Sequence, residues 1–342
     1  MRSNAFGRAG FTVSEIGFGA WGIGGATPGA TSYGKTDDAV SIAALREALE
    51  TGITFIDTSA VYGYGHSEEV IGQAFAGGLR EKAVIATKGG LAEYGQPADF
   101  SAAHLERSLQ GSLKRLGTDY VDVFQLHNPP QWVLENPDEV LGLVERLKGD
   151  GRIRAFGVSV RTPEDGFLAI ARMAPDAIQV NLNLLDQRAL STGFVAAAQA
   201  AQVGVIARTP LSFGFLSGAV SRDSEFAPED HRSRWPRAQI LRWLDGADQF
   251  WACRDHDDQS RADFALRFCL SLPGVTSTIP GILTAEEARR NARAAALGPL
   301  PQDVMARLRA IADSTDFFVA AEAQKADPGK QDAVFSVAKA SE

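Results

Sequence analysis

Residues of the kinds that move protons stand at the ends of three consecutive apolar runs. Asp57 falls in TFIDTS (54–59), with Tyr62 just beyond it in AVYGYG; Lys88 closes AVIATK (83–88) and His127 closes YVDVFQLH (120–127). Such a set suits the reduction of a carbonyl by hydride transfer. Hydride addition builds negative charge on the oxygen, so a proton donor must stand within about 3 Å of it. A tyrosine hydroxyl, whose unperturbed pKa is about 10, does this when a neighbouring cation lowers that value. Lys88 is expected to be the cation, Asp57 to hold it charged and in place, and His127 to hydrogen-bond and orient the carbonyl.

Chemistry at run ends needs a scaffold that gathers those ends. Five further apolar runs accompany the three above: SEIGFGAW (14–21), IRAFGVSV (153–160), AIQVNLNLL (177–185), VGVIARTPL (203–211) and TSTIPG (276–281). They show little strict alternation, as strands buried on both faces do. Segments of helical pattern lie between them. Residues 36–38 offer an N-cap to one that Gly52 ends, and Ser101 opens another with Leu105, Leu109, Leu113 and Leu116 on one stripe. Thr284 caps a third, AEEARRNARAAA. Alternating β and α units imply a parallel sheet, and eight of them imply an α/β fold of the closed (β/α)8 TIM-barrel type. An open doubly wound sheet is the structural alternative. In a barrel the C-terminal strand ends carry the site, which is where the polar residues fall.

The chain reads as a single barrel domain over residues 1–318, followed by a small, polar, partly disordered tail over 319–342. Before the first strand, FGRAGF predicts a β-hairpin that plugs the barrel bottom, with Arg8, Ala9 and Gly10 turning between Phe6 and Phe11. A long loop follows the seventh strand. From Ile206 to Ile279 is 73 residues, and the excess, residues 212–257, is expected to act as a lid. A formal net charge of -8 leaves no surplus of cations for nucleic acid or an anionic membrane. No apolar run reaches the roughly 18 residues of a membrane span, and no h-region of a signal peptide is visible. The two cysteines, Cys253 and Cys269, are read as buried thiols in a reducing compartment. A cytoplasmic protein, monomeric or a small homo-oligomer, is expected, with no metal.

FIDTSAVYG, ATKGG, QLHN, FGVSV and IPGILTAEEARRN, in that order, resemble the signature blocks of the aldo-keto reductase superfamily from about residue 4 to 297. The resemblance places the family's catalytic tetrad on Asp57, Tyr62, Lys88 and His127. It implies that a nicotinamide dinucleotide binds first, extended across the barrel mouth. Gly19, Ala20 and Trp21 match the segment beneath the nicotinamide ribose, with Asp57 close by. Ser159 and Gln179 match the residues that grip the carboxamide; where relatives often have Asn next, this chain has Val160. Arg208 stands where many members stack a tyrosine on the nicotinamide, and a guanidinium there can stack and add charge near the pyrophosphate. Thr209, Pro210, Leu211, Gly214 and Leu216 resemble the pyrophosphate-covering loop. Gly281, Leu283, Thr284, Glu287 and Asn291 match the adenosine end.

The cofactor expected from the resemblance is NADP(H), with NAD(H) as the alternative. Leu283 and Glu287 depart from the cationic and amide residues common there, and Glu287 could accept from a free ribose 2′-OH. Against that, the amides at Thr284 can bind a phosphate, and Arg289, Arg290 and Arg293 are close in sequence. The substrate is expected to be a small carbonyl or alcohol bounded by Trp21 and Trp132, with Phe213, Phe226 and Trp235 as further aromatic candidates. Two other functions are alternatives: a cofactor-binding accessory subunit, and a barrel lyase or isomerase using Lys88 as a Schiff base.

Overall fold

The computed structural model describes residues 1–319, so nearly all of the expected C-terminal tail lies outside the described residues. The chain opens with an antiparallel hairpin, β1 (Ser3–Ala5) against β2 (Thr12–Ser14). Its turn needs glycine at Gly7, where φ is +51° and a Cβ would lie 2.1 Å from the Asp176 carbonyl. Phe6 stacks on Phe11 with ring centroids 5.2 Å apart. It is fully buried among Phe55, Val123, Ile206 and Ile279, the inward residues of the barrel floor. The hairpin is the expected plug.

Eight parallel strands follow: β3 (Phe18–Gly19), β4 (Phe55–Asp57), β5 (Val84–Gly89), β6 (Val121–His127), β7 (Ile153–Ser159), β8 (Ala177–Asn181), β9 (Gly204–Arg208) and β10 (Val275–Ile279). Each pairs with the next in the chain. The sheet closes where Gly17 N donates to Thr278 O (2.8 Å), Thr278 N to Glu15 O (2.9 Å) and Gly19 N to Pro280 O (2.8 Å). Closure leaves no room for the open-sheet alternative. Every residue of β6 is buried, as its unalternating sequence implies.

Several strands are shorter than their apolar runs, for local reasons. The sixth run stops at Asn181 because the Asn183 carboxamide oxygen accepts from the amides of Leu185 and Asp186 and turns the chain. The seventh stops at Arg208 because Thr209 takes φ +54°.

Helices ring the barrel: α1 (Asp38–Glu50), α2 (His66–Phe75), α3 (Ala102–Leu116), α4 (Gln131–Glu135), α5 (Asp138–Gly149), α6 (Pro163–Met173), α7 (Arg188–Ser191) and α8 (Phe194–Ala200). Beyond them come α9 (Arg237–Trp251), α10 (Arg261–Leu270), α11 (Ala285–Ala296) and α12 (Gln302–Ser314). Asp37 caps α1 and Ser101 caps α3, each side chain accepting from the first turn. The stripe on α3 buries Leu105, Leu109 and Leu116, while Leu113 stays partly exposed.

Residues 212–257 are not a bare loop. They carry α9 and pack Trp235, Trp243 and Phe250 against Phe264, Phe268 and Leu308, forming a second core beside the barrel. Their middle crosses the barrel mouth, where Asp230 bridges to Ser32 and His231 N donates to Ser32 O at 2.8 Å. Both cysteines are free and buried. Among the described residues no helix is long and apolar enough to cross a membrane.

Phe6→Ala would leave a void under the barrel that the rigid sheet cannot close. The expected loss of stability is about 3–5 kcal/mol in chemical denaturation. A loss below about 1 kcal/mol would show that the hairpin lies outside the cooperative core.

Candidate active site

A cavity of about 680 Å³ opens at the C-terminal ends of the strands. Tyr62, His127, Gln179 and Arg208 line one part of it, and Leu283, Glu287 and Asn291 another. Lys88 comes from β5 and its side chain is wholly buried. Its three ammonium hydrogens have three acceptors: Asp57 Oδ1 at 2.6 Å, Thr58 O at 2.8 Å and Tyr62 Oη at 3.3 Å. The other Asp57 oxygen, Oδ2, accepts from Gln179 Nε2 (2.7 Å) and Gln125 Nε2 (3.1 Å). Four strands, β4, β5, β6 and β8, thus converge on one carboxylate. Because Lys88 donates to the Tyr62 oxygen, the tyrosine's own hydrogen stays available to a ligand.

Burial lowers the Lys88 pKa, and Asp57 opposes that drop. The expectation that Lys88 would lower the Tyr62 pKa is reversed. Burial raises it, the Asp57 charge raises it further, and Arg208 only partly offsets them. The reason is that the lysine charge is already balanced by a carboxylate in contact with it, so little net positive field reaches the phenol. Tyr62 therefore stands protonated.

His127 is held neutral, its pKa driven well below the ordinary range by burial and then by the charges of Lys88, Arg208 and Arg161. Its Nδ1 lies 3.0 Å from Ser59 Oγ, which leaves Nε2 for a ligand. The Tyr62 and His127 rings meet edge to face with centroids 5.9 Å apart. Lys88 itself does not line the cavity. With no route to a ligand and every hydrogen held, it is not placed to form a Schiff base.

Arg208 is fixed rather than free to reach along the cavity. Its guanidinium donates to Asn181 Oδ1 (2.7 Å), Ser159 Oγ (2.8 Å), Val160 O (2.9 Å) and Asn128 Oδ1 (3.1 Å). Burial pushes its pKa down to about 10, against the pull of Tyr62 and Asp57. That network also occupies Ser159, whose hydroxyl lies 3.4 Å from Gln179 Oε1. The chain then leaves β9 through Thr209, Ser212 and Phe213, all non-glycine residues at positive φ, a conformation that persists only where surroundings enforce it.

Every expected cofactor contact lines the cavity except Ser159, Leu216 and Thr284. Gly19, Ala20, Trp21, Pro210, Leu211, Gly214 and Gly281 are among those that do. Asn291, at the far part, is buried and its Nδ2 has no partner, which suits an acceptor on a bound ring.

The substrate residues divide. Trp21, Phe213 and Trp235 line the cavity, and Trp21 Nε1 donates to Tyr94 Oη at 3.1 Å. Trp132 does not: Pro129 and Pro130 carry the chain outward after His127, and the indole on α4 is 60% exposed. Phe226 packs on Phe215 and under Arg232, away from the lining. Sequence reasoning missed Gln125, Asn128 and Asn181, which hold the charged groups, and Tyr33, Tyr94 and His231, which wall the cavity. Gln125 had a signal, being a polar residue inside an otherwise apolar run. The others lie in loops or at strand ends that carry no periodicity.

The Aldo/keto reductase family model matches residues 15–313. The chain is 33% identical over 292 residues to aldo-keto reductase YhdN of Bacillus subtilis (strain 168), covering 82% of this chain and 85% of that protein. It is 27% identical over 314 residues to the NADH-specific methylglyoxal reductase of Escherichia coli (strain K12), covering 86% and 93%. The structure of a glycerol dehydrogenase from Gluconobacter oxydans superposes with a TM-score of 0.77 at 28% identity, covering 93% and 97%. The fold and the comparisons together define a TIM-barrel oxidoreductase of the carbonyl-reducing kind. The chain belongs to the aldo/keto reductase family.

Asp57→Asn would strand the Lys88 charge in the barrel. A loss of about 3–5 kcal/mol is expected in denaturant titration, much of it recovered in the double variant Asp57→Asn, Lys88→Met, which buries no unpaired ion. Equal losses in the single and double variants would mean that the ion pair does not govern the site's stability.

Proposed function

We propose that the protein reduces an aldehyde or ketone to the alcohol, and catalyses the reverse oxidation, with Tyr62 as the proton donor. The observation that carries this reading is the Lys88 ammonium, which holds the Tyr62 oxygen by its lone pair and leaves the hydroxyl hydrogen for the substrate. Asp57, gripped by two glutamine amides, keeps Lys88 oriented. His127, neutral and tethered through Nδ1 to Ser59, offers Nε2 to the same carbonyl oxygen and fixes its direction. A nicotinamide dinucleotide, when bound, supplies or accepts the hydride. Trp21, Gln179, Arg208 and the 209–214 loop would hold its nicotinamide and pyrophosphate parts, and Asn291 its adenine. A protonated tyrosine is the form that the reductive direction requires at the outset.

For the cofactor we favour NAD(H) over NADP(H). Beyond the resemblance itself, the grounds for NADP(H) are the amides at the start of α11 and its arginines. Glu287 Oε2 already accepts from Leu283 N (2.7 Å) and Thr284 N (3.2 Å), closing a capping box with Thr284. A 2′-phosphate there would have to displace a carboxylate and then sit beside it. Arg289 pairs with Glu47 at 2.9 Å and Arg293 donates to Asp258 O at 2.6 Å, so both are turned to other partners; Arg290 lines the cavity, but it lies 4.0 Å from Glu287 Oε1, whose charge offsets its own.

Tyr62→Phe is expected to lower kcat by at least ~10²-fold, the scale of a removed general acid, with cofactor affinity from fluorescence titration little changed. A variant keeping most of its kcat would sink the assignment. For the cofactor, kcat/KM should favour NADH over NADPH by roughly tenfold or more, equivalent to about 1.4 kcal/mol. Leu283→Arg with Glu287→Gln should narrow or reverse that ratio. A wild type that prefers NADPH would overturn the reading.

A further inference from the structure

His231 lies in the insertion, far in sequence from Asp57, Tyr62, Lys88 and His127, yet it walls the same cavity as Tyr62 and His127. Four aromatic rings surround its imidazole: Trp21 at 4.6 Å between centroids, Tyr33 at 4.8 Å, Phe213 at 5.1 Å and Trp235 at 5.2 Å. The residue is only 6% exposed. Burial pushes its pKa down to about 4, despite the neighbouring Asp230, so the ring is neutral at physiological pH.

The tautomer follows from the partners. Nδ1 lies 3.3 Å from Ser32 O and 3.5 Å from Asp230 Oδ1, and both of those atoms only accept. The single hydrogen of the neutral ring therefore sits on Nδ1. Nε2 is left as a bare acceptor, buried and with no hydrogen-bond partner. An unmet acceptor in an aromatic wall is costly to keep, and such groups ask for an explanation. The rest of the box supplies none, because none of the four rings hydrogen-bonds to it. The main-chain bond from His231 N to Ser32 O at 2.8 Å clamps the ring in this position across the barrel mouth.

We infer that His231 is a specificity-determining residue whose Nε2 accepts a hydrogen bond from a hydroxyl group on the substrate, remote from the reacting carbonyl. The substrate class is then the hydroxy-aldehydes and hydroxy-ketones, or polyols in the oxidative direction. Their C–H faces suit the surrounding aromatic rings, and their hydroxyl hydrogens satisfy the orphan nitrogen. The inference rests on the reductase reading above and adds to it the group recognised beyond the carbonyl.

The test compares glyceraldehyde with its 2,3-di-O-methyl ether and with propanal, using the full chain and its preferred nicotinamide cofactor. The ether keeps both oxygens and their inductive effect but removes both donors. Wild type should favour glyceraldehyde in kcat/KM by at least ~10-fold over both analogues, as sites built around a hydroxyl do. In His231→Phe that ratio should fall to within about twofold of one, and His231→Gln, whose side-chain oxygen can stand near the Nε2 position, should restore part of it. A merely structural role would lower all three substrates together and leave the ratio unmoved. Trp21 and Trp235 touch the imidazole, so the same ligands titrated against tryptophan fluorescence should show the same order without turnover. A wild-type ratio near one, in kinetics and in fluorescence, would overturn the inference, as would a ratio unchanged in His231→Phe. If no carbonyl turns over while the fluorescence ratio holds, the reductase reading fails and the hydroxyl site stands.

Discussion

The ammonium of Lys88, wholly buried and 2.6 Å from Asp57, is the charge around which the barrel mouth is arranged. An ion in that position is tolerable only when each of its hydrogens meets an acceptor and its counter-ion is itself fully solvated by the protein. The structure meets both conditions. Thr58 and Tyr62 complete the shell of the lysine, and Gln125 and Gln179 complete that of the aspartate. The outcome is a tyrosine whose oxygen is held from behind and whose hydrogen faces the cavity. The arrangement requires four strand ends in fixed register, which is what a closed parallel barrel provides.

Much of this was legible in the sequence because parallel strands buried on both faces read as unbroken apolar runs, and a barrel puts their polar ends together. Asp57, Lys88 and His127 stand out for that reason, and the hairpin showed itself through Gly10 flanked by aromatics. What stayed hidden depended on three-dimensional neighbours. That Tyr62 would feel a neutralised pair rather than a bare cation could not be read from spacing, since the sign of the field depends on distances. Trp132 looked like a pocket wall because it lies five residues beyond His127, but two prolines direct it to solvent. Tyr33, Tyr94 and His231 lie in segments whose conformation is set by tertiary contacts, so no periodicity marks them.

The mouth is built from parts of different character. Arg208 and its four acceptors make a rigid floor at the ends of β6 to β9. The wall opposite is aromatic, contributed by a loop after β3 and by an insertion with its own core. Because Ser32 and Asp230 join these two segments across the opening, the wall is a single braced unit. A site of this construction holds its charged groups on strands and its aromatic wall on loops.

The hairpin plug has a consequence for how the chain reaches this state. Phe6 finds its burial partly against Ile279, and Asn4 Nδ2 donates to Thr276 O, 272 residues away in sequence. On the ribosome the hairpin therefore waits for the last strand before it is locked. Contacts of such long sequence separation slow folding, and in the interval an aromatic residue and an open sheet edge are exposed together. The final sealing of the barrel and the seating of its floor are one event, so a nascent chain lacking β10 keeps both liabilities until that strand is made.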